Sequence, residues 1–314
     1  MLGDCFMENY MVWLKEQGKR ENTIKQYETT LKEFIQWYED TNGVVFQGES
    51  ITPMDLQEWK QFLMEVAKTN SGKQLSVSTV STKIGRVKPY FKFLYETNRT
   101  QTNLGAMVKQ PKIQNKNDAK WLDRISKNRL MRYLEDVELI KKNPWKNYRN
   151  LAIVNIMLQA GLRVSEVSKL KLDDIEDGFI SVRDGKGGKA RKIPMNSDVV
   201  NSINKWKEHR QIHQAFKENQ TEYLFVSQKN GPLSVVGIEN IFKTIRKHTG
   251  LEELTPHVLR HTFGHDLVQK GIPISYVAEL MGHTDINTTK IYVTAGQQEK
   301  QEAVEKLASG KYTK

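Results

Sequence analysis

The chain has 314 residues, 38% of them apolar and 27% charged, with a formal net charge of +11. That size suits two domains with cores of their own, and the composition excludes wholesale disorder. The apolar stretches, Leu151 to Leu158 among them, are too broken to span a bilayer, and the first residues lack a basic n-region followed by an apolar block. One cysteine, Cys5, rules out an internal disulfide and a cysteine-based zinc site, so the expected location is cytoplasmic.

Residues 7–40 read as a helix pair, with Tyr10, Trp13 and Leu14 before a break at Gly18. Asn22 or Thr23 is placed to cap a second helix carrying Ile24, Tyr27, Leu31, Phe34, Ile35 and Tyr38 at helical spacing. Thr52-Pro53 starts a third helix, and Ser76 or Ser78 a fourth whose Pro89 is expected to bend rather than end it. The aromatic residues of this bundle recur at core positions and are expected to pack with one another.

Asn98 to Ala119 is polar, basic and aperiodic, as expected of an exposed linker, either a plain tether or the joint of a clamp around a charged rod. The resulting boundaries are an N-terminal domain over 1–105, a linker over 106–119 and a second domain over 120–314. Helices are predicted near 126–140 and 147–160, the latter ending at Gly161. Residues 178–194, GFISVRDGKGGKARKIP, read as two strands around a Gly/Lys turn. Further helices are predicted near 197–215, 236–248, 256–270, 274–281, 288–293 and 297–308. The fold class is mainly α, a helical bundle followed by a mostly helical domain with a small β-sheet.

Charge follows this division. Residues 1–110 hold 14 Lys+Arg against 13 Asp+Glu, which leaves 34 against 24 for residues 111–314. A basic second domain favours a polyanionic partner, although a solvated basic surface has the same composition.

The second domain also holds groups suited to phosphodiester chemistry. Thr255 and Pro256 make a strong helix start, which places His257, Arg260 and His261 near the positive helix end, where phosphate is attracted. Arg163, in GLRVSE, leaves the corner after Gly161, and two arginines from separate segments can grip one phosphate. Tyr292, nine residues past His283, offers a phenol able both to attack and to leave. His257 can assist deprotonation of the phenol, His283 can hydrogen-bond the phosphate or share the proton work, and Lys186 at the turn DGKGGK can protonate the leaving hydroxyl, with Lys189 and Lys192 in the same hairpin. His257, His261 and His265 recur at i, i+4 and i+8, but with no glutamate or cysteine partner and with Arg260 between them they read poorly as a metal site. His261 and His265 are expected to be structural.

In order and flanking residues, GLRVSE, GKGGKARKIP, TPHVLRHTF and LMGHTDINTTKIY resemble the catalytic domain of the tyrosine recombinase, or phage-integrase, family over residues 120–310. The first hundred residues resemble its helical, SAM-like core-binding domain. The resemblance implies a catalytic set of Arg163, Lys186, His257, Arg260, His283 and Tyr292. It implies cleavage through a 3′-phosphotyrosine, exchange through a Holliday junction, and neither metal nor nucleotide cofactor. The partners it implies are a double-stranded DNA recombination site, three further copies of the chain docked through the 297–308 helix, and accessory DNA-binding proteins, with no membrane. A two-domain chain of this kind suits resolution of plasmid or chromosome dimers or of transposon cointegrates. A phage or integrative-element integrase, a type IB topoisomerase and a non-catalytic regulator are the alternatives.

Overall fold

The computed structural model describes residues 2–112, 120–183, 190–212, 221–228, 231–283, 288 and 289. They form two compact units, Met1–Lys116 and Asn117–Lys314. Among the described residues no helix is long and apolar enough to cross a membrane.

The first unit is built from α1 (Leu2–Glu16), α2 (Glu21–Asn42), α3 (Pro53–Glu65), α4 (Val77–Glu96) and the single turn α5 (Leu104–Met107). Its core is aromatic: Phe34 meets Trp59 edge-on at 5.0 Å, and Tyr10 meets Tyr90 at 5.3 Å and 80°. These rings are buried, which agrees with their reading as core. Thr52 and Asp55 form a reciprocal capping box at α3, Ser76 caps α4, and α4 continues through Pro89.

Two expectations for this unit are corrected. Neither Asn22 nor Thr23 caps α2, which starts at Glu21 with Arg20 in the cap position. The cause is Gly18 at φ +72: Lys19 N–H returns to Leu14 O at 3.1 Å, closing α1 so tightly that α2 begins two residues later. The stretch from Asn98 is also not an exposed tether throughout. Leu104 and Val108 are buried in the bundle core, Lys88 donates to the Val108 carbonyl at 2.9 Å, and Gln110 donates to that of Ser81 at 3.2 Å. Gly105 permits this docking, because a Cβ there would strike the Lys88 backbone. Residues 113–119 lie outside the described residues.

The second unit contains α6 (Arg124–Leu134), α7 (Val137–Lys142), α8 (Pro144–Gln159), α9 (Val164–Lys169), the strands β1 (Ile175–Glu176), β2 (Phe179–Val182) and β3 (Arg191–Pro194), then α10 (Ser197–Ile212), α11 (Val235–Thr249), α12 (Pro256–Gln269) and α13 (Ile274–Met281). Helix α8 is the centre: every residue from Arg149 to Leu158 is buried. The helix predicted over 126–140 is divided, because Asp136 turns its carboxylate onto Leu139 N–H and caps a new helix. The expected hairpin gains a third strand. Asp177 and Gly178 both take positive φ, +46 and +81, as a two-residue hairpin turn requires, and join β1 to β2. In the antiparallel β2–β3 pair Ile180 faces Ile193 and Val182 faces Arg191. Side chains two apart share a face, so Arg191 points inward with the buried Ile193.

Candidate active site

The site forms where α13 ends. The last carbonyls of a helix have no partner within it and carry the negative end of its dipole. Here three arginines occupy three of them in succession. Arg191 Nε donates to the Leu280 carbonyl at 3.0 Å, Arg260 Nη2 to that of Met281, and Arg163 Nη2 to that of Gly282 at 3.0 Å. Gly282 takes φ +62 and lies against the Arg191 guanidinium, leaving no space for a Cβ.

Arg163 starts where α8 stops. Gly161 reverses the chain at φ +66 with the Phe263 ring packed on it, so any side chain would meet that ring. Its carbonyl accepts from Arg260 Nη1, which joins the two segments directly. Arg163 then occupies the N-cap of α9, and Glu166 returns to its backbone N–H at 2.8 Å. The same carboxylate accepts from Arg163 Nη1 at 2.9 Å and from Arg191 Nη1 and Nη2 at 3.0 and 2.9 Å. Burial pushes the Glu166 carboxyl upward, but the Arg191 and Arg163 bonds and charges outweigh it and hold the group below the usual carboxylate range.

Helix α12 supplies the histidines. Thr255 accepts from Val258 N–H at 3.1 Å and Pro256 opens the first turn, as the sequence predicts. His257 is exposed, and its Nε2 lies 2.8 Å from that of His261. His283 hydrogen-bonds Thr289 Oγ1 through Nδ1 at 2.7 Å. Although His257 keeps solvent exposure, desolvation of its ring by packed neighbours lowers its pKa, helped by the charges of Arg260 and Arg163. Burial also pushes His283 down to about 4, with Arg260, Arg163, His261 and Arg191 adding to it. His261 falls to about 4 through burial, His257 and Arg260. Burial first and the neighbouring positive charges second thus favour the neutral form of all three imidazoles.

Of the six predicted site residues, Arg163, Arg260, His257 and His283 come together. Lys186 and Tyr292 lie outside the described residues, as do Lys189 and the helix predicted over 297–308. Lys192 is exposed on β3, on the face opposite Arg191. His265 stacks on Trp121 at 4.2 Å, in keeping with the packing role expected of it, and His261 touches His257. Glu166 and Arg191 are not among the site residues expected from the sequence. The signals were the Arg-x-x-Glu spacing of a capping box and the strand alternation that pairs Arg191 with Ile193.

Residues 120–299 match the phage integrase family, and residues 7–98 match its N-terminal SAM-like domain. The chain belongs to the phage integrase family. It is 30% identical over 307 residues to tyrosine recombinase XerA of Pyrococcus furiosus, covering 96% of this chain and 93% of that one. It is 29% identical to tyrosine recombinase XerD of Oceanobacillus iheyensis over 91% and 92% of the two chains. The TnP I resolvase of Bacillus thuringiensis is 27% identical over 92% and 95%. Among solved structures, the Tn1549 transposon integrase in complex with a circular intermediate DNA shares the fold, with a TM-score of 0.73 at 20% identity over 96% of this chain and 99% of that one. This member of the family is a tyrosine site-specific DNA recombinase.

Proposed function

We propose that this recombinase cleaves one strand of duplex DNA with the Tyr292 phenol, and that Arg163, Lys186, His257, Arg260 and His283 are its other catalytic residues. The observation that carries the assignment is the docking of Arg163 and Arg260 on the neighbouring carbonyls of Gly282 and Met281, where two distant segments aim guanidinium groups at one place. A scissile phosphate there gains charge on its non-bridging oxygens during in-line attack, and fixed guanidinium donors stabilise that charge more than the resting diester. His257, neutral at pH 7, takes the phenol proton. The phenol oxygen bonds to phosphorus as the bond to the 5′-oxygen breaks, and Lys186 protonates that oxygen. A 3′-phosphotyrosine and a 5′-hydroxyl result, and the hydroxyl of a partner strand reverses the step.

In this reading residues 1–105 and 120–314 grip the duplex, the segment between them is the linker, and four copies on two sites exchange strands through a Holliday junction. The copies dock through the 297–308 helix, accessory DNA-binding proteins set direction, and the protein works in the cytoplasm. The names of the resolvase and Xer relatives support resolution of dimers or cointegrates over integration.

The test uses a nicked duplex carrying a site selected from randomised DNA. A denaturing gel should show a covalent protein–DNA adduct that maps to Tyr292 and is absent from Tyr292→Phe. An adduct that survives this substitution refutes the assignment.

A further inference from the structure

The helix that carries His257 and Arg260 is strapped down from behind. Residues 120–127, which lead into the second unit, run along α12 and touch it or its approach four times. Lys120 pairs with Glu253 at 2.5 Å, and the Trp121 ring stacks on the His265 imidazole with centroids 4.2 Å apart and planes 13° from parallel. Leu122 N–H donates to Thr262 Oγ1 at 2.9 Å, and Lys127 Nζ donates to Asp266 Oδ2 at 2.6 Å.

These contacts are not equivalent. Both side chains of the Lys120–Glu253 pair are more than half exposed, so it adds little. Thr262 is fully buried, and its hydroxyl both accepts from Leu122 and donates to the Val258 carbonyl at 2.8 Å. That bond fixes how far the strap lies along the helix. The stack fixes rotation. His257, His261 and His265 lie one turn apart on a single stripe, and the first two touch within the site. Trp121 therefore blocks the far end of the stripe whose near end carries His257.

Small rotations matter here. With side chains reaching about 6 Å from a helix axis, a turn of roughly 10° moves their ends by about 1 Å. A misplacement of about 1 Å can cost roughly 100-fold in rate. Arg260 is especially sensitive, because the carbonyls of Gly161 and Met281 that anchor it belong to different segments.

We propose that Trp121 is a positioning residue for strand cleavage: its stack on His265, with the Leu122–Thr262 hydrogen bond, sets the rotation of α12 and so the aim of His257 and Arg260. This inference rests on the catalytic assignment of those two residues. Trp121 itself touches no reacting group. The role belongs to the ring face, because His265 Nδ1 lies 3.6 Å from Asp266 Oδ1, too far for a hydrogen bond, and a phenyl ring would serve as well.

The test follows adduct formation on the nicked duplex under single-turnover conditions with the full chain. For Trp121→Ala the rate constant should fall at least tenfold, with Kd for DNA within threefold of wild type and the final adduct amplitude unchanged. A merely structural role would reduce the amplitude and spare the rate constant of the folded fraction. His265→Ala should be as slow, the double variant no slower than either, and Trp121→Phe and His265→Phe within threefold of wild type. If Trp121→Ala does not fold, the His265 pair decides: equal rates for His265→Ala and His265→Phe overturn the proposal. Wild-type cleavage by Trp121→Ala beside an inactive His257→Ala overturns the positioning role and leaves the catalytic assignment standing. Wild-type cleavage by both His257→Ala and Arg260→Ala overturns the assignment and the proposal with it.

Discussion

Replacing Glu166 with alanine should loosen the second unit and the arginine cluster together. The carboxylate is 5% exposed and takes three guanidinium hydrogen bonds plus the Arg163 backbone N–H. Removing one partner of a buried ion pair costs about 3–5 kcal/mol, because the other charge stays uncompensated. The lower end applies here. Arg191, 10% exposed, keeps the Leu280 carbonyl, and Arg163, 25% exposed, keeps the Gly282 carbonyl and reaches water. About 3 kcal/mol in a unit of this size lowers Tm by roughly 6–12 °C. Calorimetry of the full chain should show that fall in one transition. Hydrogen exchange should speed up in peptides over 144–170 and remain unchanged in peptides over 53–96. Glu166→Gln keeps the shape and one acceptor oxygen and should lose about half as much. If Glu166→Ala melts within 2 °C of wild type, the carboxylate is not what holds the two arginines, and the reasoning fails.

Gly161→Ala combines a left-handed φ of +66 with a Cβ driven into the Phe263 ring. It should cost roughly 2–4 kcal/mol in a thermal melt and lower the cleavage rate as well. Acid should destabilise the protein below about pH 6.5. Folded His261 and His283 have pKa values near 4 against about 6.5 unfolded, so between those values the unfolded chain binds more protons and stability falls as pH drops. Glu166 acts in the same direction at lower pH, since its depressed pKa means its contribution is lost as the folded carboxylate protonates. Urea midpoints from pH 7 to 4 should fall, and less steeply in His283→Gln. Arg163→Ala should slow adduct formation by orders of magnitude with DNA affinity largely kept; an equal loss of binding in a filter assay would contradict a role on developing charge.

The helices were legible where capping and spacing agreed. Thr255-Pro256 and Thr52-Pro53 open helices at the residues expected, and 274–281 is helical over its whole predicted span. Misreadings came where a neighbour decided the outcome. Leu104 and Val108 read as linker because a single turn of helical spacing in a polar stretch is too short to mark an element, and packing against the bundle makes them core. β1 has two residues, too few for any alternation, although Asp177-Gly178 was the available signal. Within the site, the convergence of Arg163 and Arg260 was legible because Gly161 and the Thr255-Pro256 start mark the chain corner and the helix that carry them. Arg191 and Glu166 were not, since their roles depend on a strand register and a cap that bring residues 25 apart to one carboxylate.

The choice of anchors explains how the cluster keeps its charge. Arginines held one-to-one by carboxylates would form a neutral patch with nothing to offer an incoming phosphate. Here most of the positioning falls to backbone carbonyls, those of Gly161, Leu280, Met281 and Gly282. Such acceptors fix direction without cancelling a full charge, so Arg163, Arg191 and Arg260 set against Glu166 leave a net +2. Burial lowers the His283 and His261 pKa values, and the neighbouring cations lower them further. Burial and that charge together favour the unprotonated imidazoles. A phosphodiester entering the site partly neutralises the field and raises the histidine pKa values. Proton uptake on DNA binding at pH 5 to 6, measured by calorimetry in buffers of different ionisation enthalpy, should therefore be positive, and its absence would mean that the phosphate docks elsewhere.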